Sequence, residues 1–216
     1  MKGLQNLIWR GVQFVIRLGS RILVRLLSRL TIEGRENFVK IAPGPLLIIA
    51  NHKSYYDPTV IAAALPFFSS FNPLRFIAKD EFFMRPFMAF IFNLMGAFPA
   101  RQGQGIDRSL ELPERILRAG GTVVFFPEGS CIRDDSLGEG KIGAALLATR
   151  VPGLTILPMA IFGAYRISGL RFSRPNVVIK IDEPFQLPNK GTEPDPKDLA
   201  TDFMHRIKSN YLTIAK

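Results

Sequence analysis

Residues 46–58 read Leu-Leu-Ile-Ile-Ala-Asn-His-Lys-Ser-Tyr-Tyr-Asp-Pro, an apolar run that ends in a polar segment and then meets a proline. An unbroken run such as Leu46–Ala50 has the pattern of a strand buried on both faces, the form that parallel sheets favour. Pro58 opens the next element. The residue before a proline avoids the right-handed helical region and proline suits the first helical position, so Asp57 is expected as the N-cap of a helix. His52 then falls on the connecting loop. On a continuous helix two residues five apart diverge by about 140°, so only a loop lets the His52 imidazole reach back to the Asp57 carboxylate. One carboxylate oxygen is expected to take a backbone N–H while the other orients the imidazole. That is the base-plus-orienter half of a catalytic triad, and with no Ser or Cys at a fixed position the substrate's own hydroxyl would be the nucleophile. The same spacing also fits a plain Asp-Pro helix cap beside an uninvolved histidine.

Working outward, further strand patterns lie at Leu74–Ala78, Gly96–Ala100, Thr122–Phe126, Thr155–Phe162 and Asn176–Ile181. Helical patterns fall between several of them, at Thr59–Leu65, Asp80–Leu94, Arg108–Ala119 and Ile142–Thr149, with a last helix at Pro196–Leu212. Strands alternating with helices predict an α/β fold, a mostly parallel sheet flanked by helices. Chemistry in such sheets gathers at the carboxyl ends of strands. Pro188–Pro196 is a polar linker into the final helix, and no internal repeat or low-complexity tract is present.

A second polar segment also follows a strand pattern, Phe125-Phe126-Pro127-Glu128-Gly129-Ser130. Gly129 permits close backbone approach to a ligand, and Glu128 could accept hydrogen bonds from hydroxyls. Alone, Pro-Glu-Gly is also ordinary turn chemistry.

The 216 residues carry 28 Lys and Arg against 18 Asp and Glu, a formal charge of +10, yet 47% are hydrophobic and 18 are Phe. A nucleic-acid binder is commonly basic without being this oily, so no nucleic-acid partner is expected. The two excesses together suit an anionic, apolar partner such as a membrane surface. One Cys excludes an intramolecular disulfide, and one Cys with two His argues against a zinc cluster of the usual kind.

The first thirty residues fit neither a signal peptide nor a membrane span, because Arg10, Arg17, Arg21, Arg25 and Arg29 interrupt every apolar run. On a helix these arginines occupy an arc of roughly 120°. Ile8, Val12, Val15, Ile22, Leu23, Leu26 and Leu30 project from the other side. Residues 1–30 therefore read as an amphipathic membrane-associating helix lying in the headgroup plane with its arginines toward anionic lipid. A helix packed on its own core with a solvated basic face is the alternative. Residues 86–100, Pro-Phe-Met-Ala-Phe-Ile-Phe-Asn-Leu-Met-Gly-Ala-Phe-Pro-Ala, hold no charge but are too few to span a bilayer. They suit partial insertion, the wall of an acyl tunnel, or plain core.

Taken together, His-x4-Asp after an Asn and the later Phe-Pro-Glu-Gly resemble the PlsC-type glycerolipid acyltransferases, the lysophosphatidic acid acyltransferase family. The resemblance runs from about Leu30 to Glu183 through four blocks in order: Asn51–Asp57; Gly96-Ala97-Phe98-Pro99-Ala100-Arg101; Phe126–Ser130; and Leu157-Pro158-Met159. Phe76-Ile77-Ala78-Lys79-Asp80-Glu81 and Gly140-Lys141-Ile142-Gly143-Ala144-Ala145 are also similar to the family. The resemblance implies that residues 31–216 form the acyltransferase domain. It implies His52 as general base and Asp57 as its orienter, acting on the free hydroxyl of a lysophospholipid with acyl-CoA or acyl-carrier protein as co-substrate. It assigns Asn51, Glu128, Gly129 and Ser130 to the substrate site, and the acceptor's phosphate to Arg101 with help from Lys79. The family needs no metal or prosthetic group, and the expected location is the cytoplasmic face of the cell membrane. One departure stands out. The family's third block continues Glu-Gly-Thr-Arg, whereas this chain has Glu128-Gly129-Ser130-Cys131, so Arg133 is expected to replace the missing arginine. The acceptor head group is what this departure affects, and a lyso-ornithine lipid or another lysophospholipid remains an alternative. A non-enzymatic membrane-binding protein is the reading outside the class.

Overall fold

The computed structural model describes residues 2–66, 71, 73–132, 136–167, 174–188 and 194–215, with side chains from residue 11 onward. The chain opens with helix α1 (Lys2–Leu27), which runs into strand β1 (Arg29–Glu33) and a 3-10 turn. The elements that follow are β2 (Leu46–Ala50), α2 (Asp57–Ala64), β3 (Leu74–Ala78), α3 (Pro86–Leu94), β4 (Ala97–Pro99), α4 (Ile106–Arg118) and β5 (Thr122–Phe125). The chain closes with α5 (Gly143–Arg150), β6 (Thr155–Phe162), β7 (Asn176–Ile181), β8 (Phe185–Gln186) and α6 (Pro196–Ile214). One sheet runs in the order β1-β7-β6-β2-β5-β3-β4, with β8 paired to β6. β2 is parallel to both β5 and β6, β3 is parallel to β4 and β5, and β1 is parallel to β7; only the pairings of β6 with β7 and β8 are antiparallel. This is the mostly parallel α/β sheet that the alternation of elements predicts.

β2 shows why its five residues are all apolar. Leu46, Ile48 and Ala50 face a layer that holds Val60, Ile61 and Ala64 of α2 and Val24 of α1. Leu47 and Ile49 face the opposite layer, made by Leu110 and Leu117 of α4, Leu147 of α5 and Phe203 and Ile207 of α6. β2 is thus the buried centre of the sandwich, and its carboxyl end opens where β5 and β6 also end. The expected helix over 80–94 breaks in two. A 3-10 turn covers Asp80–Phe83, and Pro86 restarts the chain as α3, where its missing N–H costs nothing. β1 lies outside the expected strands. Its alternating exposure over only five residues, following a long basic helix, left a weak pattern.

α1 departs most from expectation. Its inward face is polar: Gln13, Arg17 and Ser20 are buried with Val24, while Val15, Leu18, Ile22, Leu23 and Leu26 are exposed. The Arg17 guanidinium donates to the carbonyls of Leu65 (3.1 Å) and Pro66 (2.6 Å), and Arg21 Nε donates to Ala63 O (3.1 Å). These are carbonyls at the C-terminal end of α2, which lack intrahelical donors and carry the negative end of its dipole. Gln13 Nε2 does the same for Leu94 O at the end of α3 (2.7 Å). Burial pushes the Arg17 pKa down to about 10, which leaves it a full cation at neutral pH. The arginine stripe therefore does not face outward as a unit. Arg17 and Arg21 turn inward to close α2, and Arg25 and Arg29 remain outside. Replacing Arg17 by Ala is expected to lower stability by about 2–3 kcal/mol, the scale of hydrogen bonds from a charged donor. The exposed Arg25→Ala should stay within about 0.5 kcal/mol. Urea denaturation in detergent checks both, and equal midpoints for the two variants would refute the helix-closing role.

Candidate active site

The site begins where β2 ends. Asn51 is fully buried and spends its amide on one neighbouring residue: Nδ2 donates to Ile161 O (2.9 Å) and Oδ1 accepts from Ile161 N–H (2.7 Å). Asn51 therefore clips the end of β2 to β6 and does not face the substrate cavity, which corrects its expected place among the substrate-binding residues. The chain then leaves the sheet, and residues 51–54 form an open loop that brings His52 and Asp57 together.

His52 Nδ1 lies 2.9 Å from Asp57 Oδ2. The same oxygen accepts the backbone N–H groups of Lys53 and Ser54, both at 2.7 Å. Asp57 thus does not cap α2 with its side chain: its carboxylate folds back over the preceding loop, and Tyr56 takes the N-cap position with no side-chain bond. The expected division of labour between two oxygens is not what forms, since Oδ2 takes all three donors and Oδ1 has no partner among the described residues. Asp57 is 0% exposed. Burial pushes its carboxyl above the usual range, while the imidazole and the two amide N–H groups pull it back. An ionised carboxylate only accepts, so Nδ1 carries the proton and Nε2 is the basic nitrogen. The imidazole is fixed from its face as well, stacked on Phe126 at 4.2 Å between centroids with the planes 16° apart.

The Phe126–Ser130 segment abuts this loop. Glu128 is buried, and its Oε1 accepts the His52 backbone N–H at 3.3 Å. Burial raises its carboxyl; the N–H bond from His52 and the Lys53 ammonium oppose that rise. Ile132 N–H in turn donates to His52 O (2.8 Å). Glu128 therefore holds the histidine loop and does not line the cavity, a correction to its expected contact with the acceptor. Gly129, at φ +69°, turns the chain in the left-handed region. Gly129 and Ser130 line the cavity.

That cavity has a volume of about 940 Å³ and is lined in part by His52. Its apolar depth is built from Phe82, Phe92, Met95, Leu110 and Phe125. α3 contributes no fully buried residue: Phe92 lines the cavity, while Phe87 and Phe90 are exposed at 74% and 62%. The plain-core reading of residues 86–100 does not hold for this helix. Lys79 borders the cavity, and Arg101 does not. Arg101 sits at φ +52°, its backbone N–H and that of Gln102 are received by the Asp80 carboxylate (2.9 and 2.7 Å), and its guanidinium pairs with Glu111 at 2.8 Å. Arg133 lies outside the described residues. Three groups escaped the sequence reading: Asp80 as the clamp of the 101–102 turn, Phe126 as the platform for the imidazole, and Lys141, which borders the cavity. The run Gly140–Gly143 held the signal for the last of these. Among the described residues there is no group of three or more His, Cys, Asp or Glu able to hold a metal ion, and no helix is long and apolar enough to cross a membrane.

A family model described as Acyltransferase matches residues 29–162. The chain is 30% identical over 160 residues to the chloroplastic 1-acyl-sn-glycerol-3-phosphate acyltransferase of Arabidopsis thaliana, covering 71% of this chain and 42% of that protein. It is 30% identical over 130 residues to the lyso-ornithine lipid O-acyltransferase of Pseudomonas aeruginosa, covering 58% of this chain and 45% of that protein. The chain thus spans less than half the length of these two relatives. In fold it is similar to the crystal structure of the 1-acyl-sn-glycerophosphate acyltransferase PlsC from Thermotoga maritima, with a TM-score of 0.71 at 23% identity over 92% of this chain and 78% of that one. The family match over most of the sheet, joined to the order of the sequence blocks, leads to one conclusion: the chain belongs to the Acyltransferase family, among the PlsC-type members that its sequence resembles.

Proposed function

We propose that this protein transfers an acyl group from a thioester, acyl-CoA or acyl-carrier protein, to the free hydroxyl of a lysophospholipid, with 1-acyl-sn-glycerol 3-phosphate as acceptor and phosphatidic acid as product. The observation that carries the reading is the His52–Asp57 pair, 2.9 Å apart, with His52 in the lining of a large, mainly apolar cavity. Nε2 of His52 removes the hydroxyl proton as the oxygen attacks the thioester carbonyl carbon. The tetrahedral intermediate collapses with cleavage of the C–S bond, and the departing sulfur takes the proton back from His52. Asp57 holds the imidazole by Nδ1 and stabilises the imidazolium formed in between. The cavity accommodates an acyl chain against Phe82, Phe92 and Met95. Its volume lies in the range of sites that enclose an extended apolar ligand.

A lyso-ornithine lipid acceptor is the second reading. Cys131, uncharged, borders the cavity at the position where the family pattern has an arginine, and one relative carries that activity in its name. Assaying a panel of lyso-lipids against both thioester donors separates the two.

The membrane part of the proposal rests on α1. A helix that turns arginine and glutamine inward and leaves Val15, Leu18, Ile22 and Leu26 outside presents an apolar face of the kind that marks an interaction surface. A lipid surface at the cytoplasmic side suits it, with Arg25 and Arg29 at headgroup level.

His52→Ala is expected to lower kcat by about 10²–10⁴-fold with the fold intact. In Asp57→Asn the uncharged amide keeps a hydrogen bond to the imidazole but loses the charge that stabilises imidazolium, so kcat should fall by about 10²-fold or more. A folded His52→Ala protein with wild-type turnover would dispose of the mechanism. For the membrane, Val15→Gln, Ile22→Gln and Leu26→Gln together should weaken binding to anionic vesicles by about 10³-fold or more, since each inserted side chain contributes about 1.5–3 kcal/mol. Vesicle pelleting reads this directly. Unchanged binding by the triple variant would show that α1 lies against something else.

A further inference from the structure

Lys40, Arg101, Arg118, Arg150 and Arg206 each meet a carboxylate within 4 Å. Lys79 and Lys141, which both border the cavity in front of His52, have no such partner among the described residues. Lys141 is also held in an unusual place. Its backbone N–H donates to Pro127 O at 2.9 Å, and its side chain folds back over Gly129. A Cβ built on Gly129 would stand 2.9 Å from Lys141 Nζ and 3.0 Å from its Cδ, so the ammonium occupies the space that any side chain at 129 would fill. Lys141 remains exposed, yet its side chain lies across the turn that follows Phe126, the platform of the imidazole.

We infer that Lys141 is a specificity-determining residue whose ammonium, seated on the bare face of Gly129, binds the phosphate monoester of the acceptor together with Lys79. The inference rests on the acyl-transfer reading given above and deepens it. A phosphate monoester carries a charge near −1.5 to −2 at neutral pH, more than one ammonium balances. Of the groups the sequence pattern assigns to this role, Arg101 is committed to Glu111 and to the Asp80 turn, Arg133 lies outside the described residues, and an uncharged Cys131 stands where the family pattern has an arginine. Glu81 is the one carboxylate among the described lining residues, so two lysines leave the lining with a net positive charge where Lys79 alone would leave none. Ser130, beside Gly129 in the same lining, adds a hydroxyl donor. Lysine binds phosphate as a flexible point charge, without the fixed fork of arginine, and this suits a seat whose backbone turn leaves an open surface.

The test compares Lys141→Met and Lys141→Arg with the wild-type full chain in detergent, using a short-chain monomeric lysophosphatidic acid as acceptor and measuring KM for acceptor and donor separately. Lys141→Met should raise the acceptor's KM by about 10- to 100-fold, with the donor's KM changed by less than about 3-fold, and Lys141→Arg should restore most of the loss. Calorimetric binding of sn-glycerol 3-phosphate should weaken in Lys141→Met and recover in Lys141→Arg, independently of turnover. An unchanged acceptor KM, or a loss confined to the donor's KM, overturns the inference; the second result would place donor phosphates there instead. If the wild-type chain binds sn-glycerol 3-phosphate through Lys141 but acylates no lysophospholipid, the phosphate seat stands and the acyl-transfer reading falls.

Discussion

Everything near the cavity depends on one oxygen atom. Asp57 Oδ2 receives the imidazole N–H of His52 and the amide N–H groups of Lys53 and Ser54, all between 2.7 and 2.9 Å, in a place without water contact. A carboxylate removed from solvent is costly unless its neighbours supply donors, and here the loop that needs shaping supplies them. The compensation and the shaping are one act. The same three bonds that keep the charge tolerable also set the path of residues 52–54, and so the orientation of the imidazole. The pairing of Asn51 with Ile161 anchors that loop to the sheet, and Glu128 grips it from the other side through the His52 N–H. What looks in sequence like two separate motifs is mechanically a single turn held from both ends.

The sequence made the sheet readable because β2 and β6 are runs that burial demands be apolar, while β7 alternates buried with more exposed residues. The weak points have physical causes. β1 pairs only with β7 and alternates half-exposed residues, so little distinguishes it from the end of a basic helix. The pairing of His52 with Asp57 was legible because proline dictates where the helix starts. The use of a single oxygen for three donors was not, because it depends on how the loop closes. Asn51, Glu128 and Arg101 sit in the right segments, yet each side chain turns away from the cavity to bind Ile161, His52 and Glu111 respectively. Spacing gives a residue's neighbourhood; only packing gives its direction.

α1 illustrates the same limit more sharply. Its arginines do fall on one arc, and a helical projection treats that arc as a solvated face. In the fold, the ends of α2 and α3 present carbonyls without donors, and Arg17, Arg21 and Gln13 are the donors that meet them. The demand for hydrogen bonds at two helix ends outweighs the preference of guanidinium for water, and the apolar residues are left on the outside.

α2 joins these two themes. Its first residue is Asp57 and its last carbonyls rest on Arg17 and Arg21, so eight residues, about 12 Å of helix, separate the carboxylate from α1. A short helix packed into a close-packed core moves as a rigid rod. The height of the reacting imidazole above whatever plane α1 rests on is therefore built into the backbone as a fixed spacer, set by the length of one helix and independent of the length of any side chain.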